Sequence, residues 1–113
     1  MGEQINLIYL YGFSTSFESK LVSLMQILKN QLNQGVHINI VFIHDGVIGT
    51  SYKNKISHAM TELLELPISF YTMIPDLKAR GIDSENLQNK IEGIEYEDLV
   101  DLLATTSKIV SWM

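Results

Sequence analysis

The chain has 113 residues, 46% of them apolar and 19% charged, carries a formal net charge of −5 and contains no cysteine. That size and composition fit one globular domain with enough apolar material for its own core, and the missing thiol excludes disulfides, thiolate metal sites and cysteine nucleophiles. The acid is concentrated toward the C-terminal third, where Asp83, Glu85, Glu92, Glu95, Glu97, Asp98 and Asp101 face only Lys90, so direct nucleic-acid binding by this face is not expected.

In chain order, QINLIYLY at 4–11 is rich in Ile, Leu and Tyr and too short for a typical helix, which predicts a buried strand. Thr15 and Glu18 then have capping-box spacing. Phe17, Leu21, Leu24, Met25, Leu28 and Leu32 recur at three and four residues until Gly35 offers a stop, which predicts the first helix. HINIVFI at 37–43 reads as a second strand. It runs into HDGVIGTS at 44–51, after which Ile56, Ala59, Met60, Leu63 and Leu64 mark a helix ending before Pro67. ISFYTM at 68–73 predicts a third strand, and IPDLKARG at 74–81 a short helix with Pro75 near its start and Gly81 at its end. Residues 84–90 read as one further helical turn, GIEY as the lead into the amphipathic helix EDLVDLLA, and KIVSW as a closing strand. Strands alternating with helices imply an α/β fold: a single Rossmann-like domain over residues 1–113, with a mainly parallel sheet of about five strands, helices on both faces and right-handed crossovers.

The longest apolar runs fall far short of the roughly 20 residues of a membrane-spanning helix, and the N-terminus lacks the basic start and cleavage site of a signal peptide. Gly2 would suit myristoylation, but Asn6 stands where that motif needs Ser or Thr. The expectation is a soluble cytoplasmic protein that does not engage membranes.

In parallel sheets ligands gather at the carboxyl ends of strands, and 44–51 follows the second strand. Gly46 and Gly49 would let backbone N–H groups approach an anion, with Thr50 or Ser51 capping the next helix. The plainer reading is a tight turn at Asp45-Gly46, since GVIGTS is neither a P-loop nor GxGxxG. A hydrolytic triad of Ser51, His44 or His58, and Asp45 lacks a nucleophile elbow. His37, His44 and His58 match no local metal-ligand spacing. Asp76 and Arg80, four apart, suggest a surface ion pair more than a substrate clamp. The acidic face 92–101 suits a solvated surface or the docking of a basic partner.

A strand leading into HDGV (44–47), then DLKARGI (76–82), then IEYEDLVDLLATTSKIVSW (94–112) together resemble the DsrH/TusB branch of the DsrE/DsrF/DsrH family of small sulfur-relay proteins. The resemblance covers roughly the C-terminal two-thirds. It implies a Rossmann-like fold that assembles as homo- or hetero-oligomers, in which a cysteine on DsrE- or TusD-type subunits carries a persulfide toward tRNA thiouridine or dissimilatory sulfur metabolism. With no cysteine, this chain would be a non-carrying structural and docking subunit, without catalytic activity alone and partnered by cysteine-bearing DsrE/TusD-type subunits. The alternative is a stand-alone small-molecule or nucleotide-binding domain using the turn from Gly46 to Ser51. The resemblance further implies that Gly46 takes backbone angles denied to other residues and that His44 points to the rim. Binding or interface candidates are His44, Asp45, Gly46, Gly49, Thr50, Ser51, Asp76, Arg80, Gly81 and Trp112. No catalytic residue, metal or cofactor is expected.

Overall fold

The computed structural model describes residues 5–53 and 56–113. Five strands alternate with helices: β1 (Asn6–Tyr11), α1 (Glu18–Asn33), β2 (His37–Phe42), a 3-10 turn (His44–Val47), α2 (His58–Leu64), β3 (Ser69–Met73), α3 (Ile74–Ala79), β4 (Ile91–Ile94), α4 (Tyr96–Ala104) and β5 (Lys108–Trp112). All neighbouring strands run parallel in the order β4-β3-β2-β1-β5. The α/β fold with a five-stranded sheet is therefore as the alternation implies.

Alternate strand residues serve two cores. Leu7, Tyr9 and Tyr11 of β1 and Ile38, Ile40 and Phe42 of β2 point to the side where α1 and α2 pack, contributing Leu21, Leu24, Leu28, Met60 and Leu63. Ile8, Val41, Ile43, Met73 and Ile94 point to the other side, which α4 covers with Leu99, Leu102 and Leu103. The three- and four-residue spacing of the α1 leucines is what keeps them on one buried stripe. The helix ends in a Schellman motif: the Gly35 N–H bonds Leu32 O at 3.0 Å, the Val36 N–H bonds Gln31 O at 3.1 Å, and Gly35 takes φ 80°.

Three local expectations are corrected. The Thr15–Glu18 capping box does not form; Phe17 is the N-cap of α1 and no side chain caps it. Thr15 Oγ1 instead donates to Ile48 O at 2.7 Å, and the Glu18 carboxylate accepts the His58 N–H at 3.0 Å. Both side chains are drawn to the chain after β2, which lies against this loop. Segment 84–90 is not helical; it forms turns and an antiparallel bridge between Leu87 and Ser51. Of GIEY, read as a lead-in to the last helix, Gly93 and Ile94 belong to the edge strand β4, whose Ile91 and Ile94 are buried, while Glu95 and Tyr96 are the N-cap and first residue of α4. Among the described residues no helix is long and apolar enough to cross a membrane.

Candidate functional site

HDGV closes as a 3-10 turn directly after β2, with Gly46 and Val47 buried and His44 and Asp45 exposed. Gly46 is needed for space, because a Cβ there would run into the carbonyl of Tyr11 at the end of β1. The left-handed backbone expected at Gly46 sits instead at His44, φ 49°, and Gly49, φ 98°. The 3-10 turn keeps its central residues right-handed, so the sharp exit from the strand falls on His44 and the exit from the turn on Gly49.

The unusual backbone of His44 is held from α3. The Asp76 carboxylate accepts the His44 N–H at 2.9 Å. One turn later, Arg80 Nε and Nη2 donate to one oxygen of Asp45 at 3.2 and 3.1 Å, and Nη1 donates to Asp76 O at 3.1 Å. The Asp76–Arg80 ion pair suggested by their spacing is not made, since the turn lies over α3 and offers an N–H to one side chain and a carboxylate to the other. With side chains 27% and 64% exposed, the Arg80–Asp45 pair contributes about 0–1 kcal/mol. Its effect is orientation: it fixes the corner while leaving the His44 ring in solvent. Gly81, φ 69°, ends α3 in a second Schellman motif, with Gly81 N–H on Lys78 O at 3.2 Å and Ile82 N–H on Leu77 O at 2.9 Å.

His44, Asp45, Gly46, Asp76, Arg80 and Gly81 are thus brought together, whereas Gly49, Thr50, Ser51 and Trp112 lie outside this corner. Thr50 and Ser51 do not cap α2; Ser57 does, accepting the Met60 N–H at 3.1 Å. Thr50 is buried with its hydroxyl donating to Val47 O at 2.7 Å, and its carbonyl accepts the Gln88 N–H at 2.8 Å. The chain has two unshown-by-sequence partners here, Asn86 and Gln88, which tie 50–52 down before α2 can begin. Gly49 backs onto Thr15, which a Cβ would strike. Trp112 lies on the edge strand β5, partly buried, its ring 6.4 Å from that of Tyr11.

Chemically, the turn is largely self-satisfied. The N–H groups of His44, Gly46, Ile48 and Thr50 donate to Asp76, Ile43, Asp45 and Val47. Ser51 Oγ accepts the Lys53 N–H, Asp45 is engaged by Arg80, and His58 Nε2 lies 3.1 Å from Glu62, so the imagined triad has no hydrogen-bonded relay. His37 and His44 sit at opposite ends of β2, and among the described residues no group of three or more His, Cys, Asp or Glu is placed to hold a metal ion.

Two clefts went unnoticed in the sequence. One of about 490 Å³ adjoins the turn and is lined by Thr15, Ser16, Glu18, Ile48, Gly49, Ile56 and Ser57. The other, about 620 Å³, opens beside α4 with Tyr71, Ile94 and Leu102 inside and Glu92, Asp98 and Asp101 around it. Its acidic residues were visible as a pattern, whereas the cleft itself forms only where Leu102 of α4 meets Tyr71 of β3 and Ile94 of β4.

Two solved structures share this fold. The protein of unknown function MTH1491 from Methanobacterium thermoautotrophicum superposes with a TM-score of 0.71 at 18% identity, covering 96% of this chain and 99% of that one. The YchN protein from E. coli gives 0.69 at 18% identity, covering 97% and 100%. No curated protein matches the sequence. The family model described as DsrH like protein matches residues 14–109, most of the chain including part of its N-terminal third, and the protein therefore belongs to the DsrH-like family.

Proposed function

We propose that this chain is a cysteine-free structural and docking subunit of a sulfur-transfer complex, of the kind serving tRNA thiouridine formation or dissimilatory sulfur metabolism, and that it works in the cytoplasm. The observation that carries the reading is a DsrH-like chain with no cysteine at any of its 113 positions. Persulfide relay needs a soft, reversible thiolate nucleophile, and no other side chain supplies one at neutral pH. The partner would therefore hold the sulfur, as a cysteine-bearing DsrE/TusD-type subunit, and this chain would shape its surroundings. The corner of His44, Asp45, Asp76 and Arg80 is the docking element we favour, being held by side-chain hydrogen bonds with His44 and Asp45 exposed and Asp76 and Arg80 half-buried. Against the nucleotide-binding alternative stands the commitment of four turn N–H groups to acceptors within the protein.

Incubation with a cysteine desulfurase and cysteine, alone and with a cysteine-bearing partner that co-purifies from the source cell, tests this. Intact-mass spectrometry should find the added sulfur on the partner and none on this chain. Sulfur held stably on this chain would contradict the thiol-only chemistry. No complex and no change in the partner's rate of sulfur delivery would reject the docking role.

A further inference from the structure

β5 is an edge strand, and among the described residues nothing pairs with its outer side. Its hydrogen-bond phase follows from one contact: the Gly12 N–H donates to Trp112 O at 2.8 Å, with Tyr11 and Trp112 in register. In a parallel ladder every second residue bonds to the same neighbour. Lys108, Val110 and Trp112 therefore bond to β1, while Ile109 and Ser111 turn their N–H and C=O groups outward.

Those two residues are complementary to a reversed copy of themselves. We propose that β5 pairs antiparallel with β5 of a second copy of this chain, about a two-fold axis through Val110, joining two five-stranded sheets into one. Ile109 then exchanges both backbone hydrogen bonds with Ser111 of the copy and Ser111 with Ile109, while Val110 faces Val110 in the non-bonded position between them. Lys108 falls opposite Trp112 of the copy on the same sheet face, where an ammonium and an indole attract. A C2 interface requires this self-complementarity.

Charge and exposure select the same edge. A chain of net charge −5 has no acidic residue from 105 to 113, so two copies meet there with least repulsion. The opposite edge, β4, is four residues long and carries Glu92. Ile109 is 46% exposed although it neighbours Ile8, which is fully buried. On α4, Asp98, Asp101 and Thr105 border the cleft toward β3 and β4. At 3.6 residues per turn, Tyr96 and Val100 then lie on the flank toward β1 and β5, and they are 61% and 62% exposed. The pairing brings two such flanks together over Ile109. A lone Lys108 is the edge's only charged guard against strand addition. This inference does not depend on the sulfur-relay reading.

The absence of cysteine makes the register directly readable. Val110→Cys puts two thiols across the axis in a non-bonded pair, with Cα atoms about 4.5 Å apart, within disulfide reach. Lys108→Cys puts them four residues out of register, about 14 Å apart and beyond it. Mild oxidation should link Val110→Cys into a covalent dimer and leave Lys108→Cys unlinked, and sedimentation equilibrium should find the unmodified chain dimeric. Ser111→Pro removes an outward N–H without touching the β1 ladder, so it should weaken the dimer about tenfold or more with its circular dichroism unchanged. A monomeric parent chain, equal cross-linking of both cysteine variants, or a folded Ser111→Pro with undiminished association would each overturn the proposal.

Discussion

Gly46 and Gly49 face different obstacles although they stand three residues apart. Gly46 abuts the fixed backbone of Tyr11, and Gly49 combines φ 98° with the side chain of Thr15. Gly35, also at positive φ, has open space around it. Gly46→Ala and Gly49→Ala should each lower unfolding free energy by about 2 kcal/mol or more, against about 1 kcal/mol for Gly35→Ala, as urea denaturation will measure. Equal small losses at all three would remove the packing account. Tyr11 raises a different residue-level question, because its hydroxyl is buried without a hydrogen-bond partner, as is that of Thr72, the two flanking Phe42 on neighbouring strands. Burial pushes the Tyr11 phenol from 10.0 up to about 12. A folded pKa above the unfolded one gives a contribution that is complete below pH 10 and lost as pH rises toward about 12, where the unfolded chain ionises first. Tyr11→Phe should flatten that alkaline decline. It should also raise stability at neutral pH by about 1 kcal/mol, through removal of an unsatisfied donor.

The helices are unequal partners of the sheet. In α1 Leu21, Leu24 and Leu28 are fully buried, whereas α4 has no buried residue and holds the sheet through the partly exposed Leu99, Leu102 and Leu103. Leu24→Ala should therefore cost about 3 kcal/mol, near the middle of the range for buried leucines, and Leu102→Ala distinctly less. Denaturant midpoints at constant slope will show the order, and equal losses would mean that α4 is anchored as firmly as α1. Short α2 relies on its cap: Ser57 accepts the Met60 N–H and donates to Thr15 O at 3.1 Å. Ser57→Ala should lower stability by about 1 kcal/mol by removing the cap and loosening the loop after β1.

For the whole molecule, the charge distribution distinguishes one end of the fold. The acid of Glu92, Asp98 and Asp101 rims the cleft beside α4, while β5 carries none. A cysteine-bearing partner that docks against this acidic side, rather than at the His44–Arg80 corner, should associate more slowly as salt is raised, with dissociation changing less. Stopped-flow mixing at several ionic strengths checks this. Pairing through β5 should be nearly salt-independent, since strand hydrogen bonds and apolar contact hold it, so the two surfaces can be told apart in one titration series.

What the sequence determined by itself was periodicity and chemistry of absence. The leucine stripe of α1, the apolar runs of β1, β2, β3 and β5, and the stops at Gly35 and Gly81 are local patterns, and they foretell an α/β sheet because each element signals its own buried face. The missing cysteine needed no structure at all. The tertiary structure decided which polar groups meet. Thr15 bonds Ile48, Asp76 bonds His44, and Arg80 bonds Asp45, each across more than thirty residues. Spacing had offered Glu18 and Arg80 nearer partners, and those were outcompeted once the sheet order laid the loops after β1, β2 and β3 side by side. β4 was concealed for the same reason: IEGI is too short and too polar to signal a strand, and it is one only because β3 presents an edge to it. Local pattern reports how often a side chain must be buried, but a hydrogen bond is settled by which backbone arrives beside it, and that is a property of the fold.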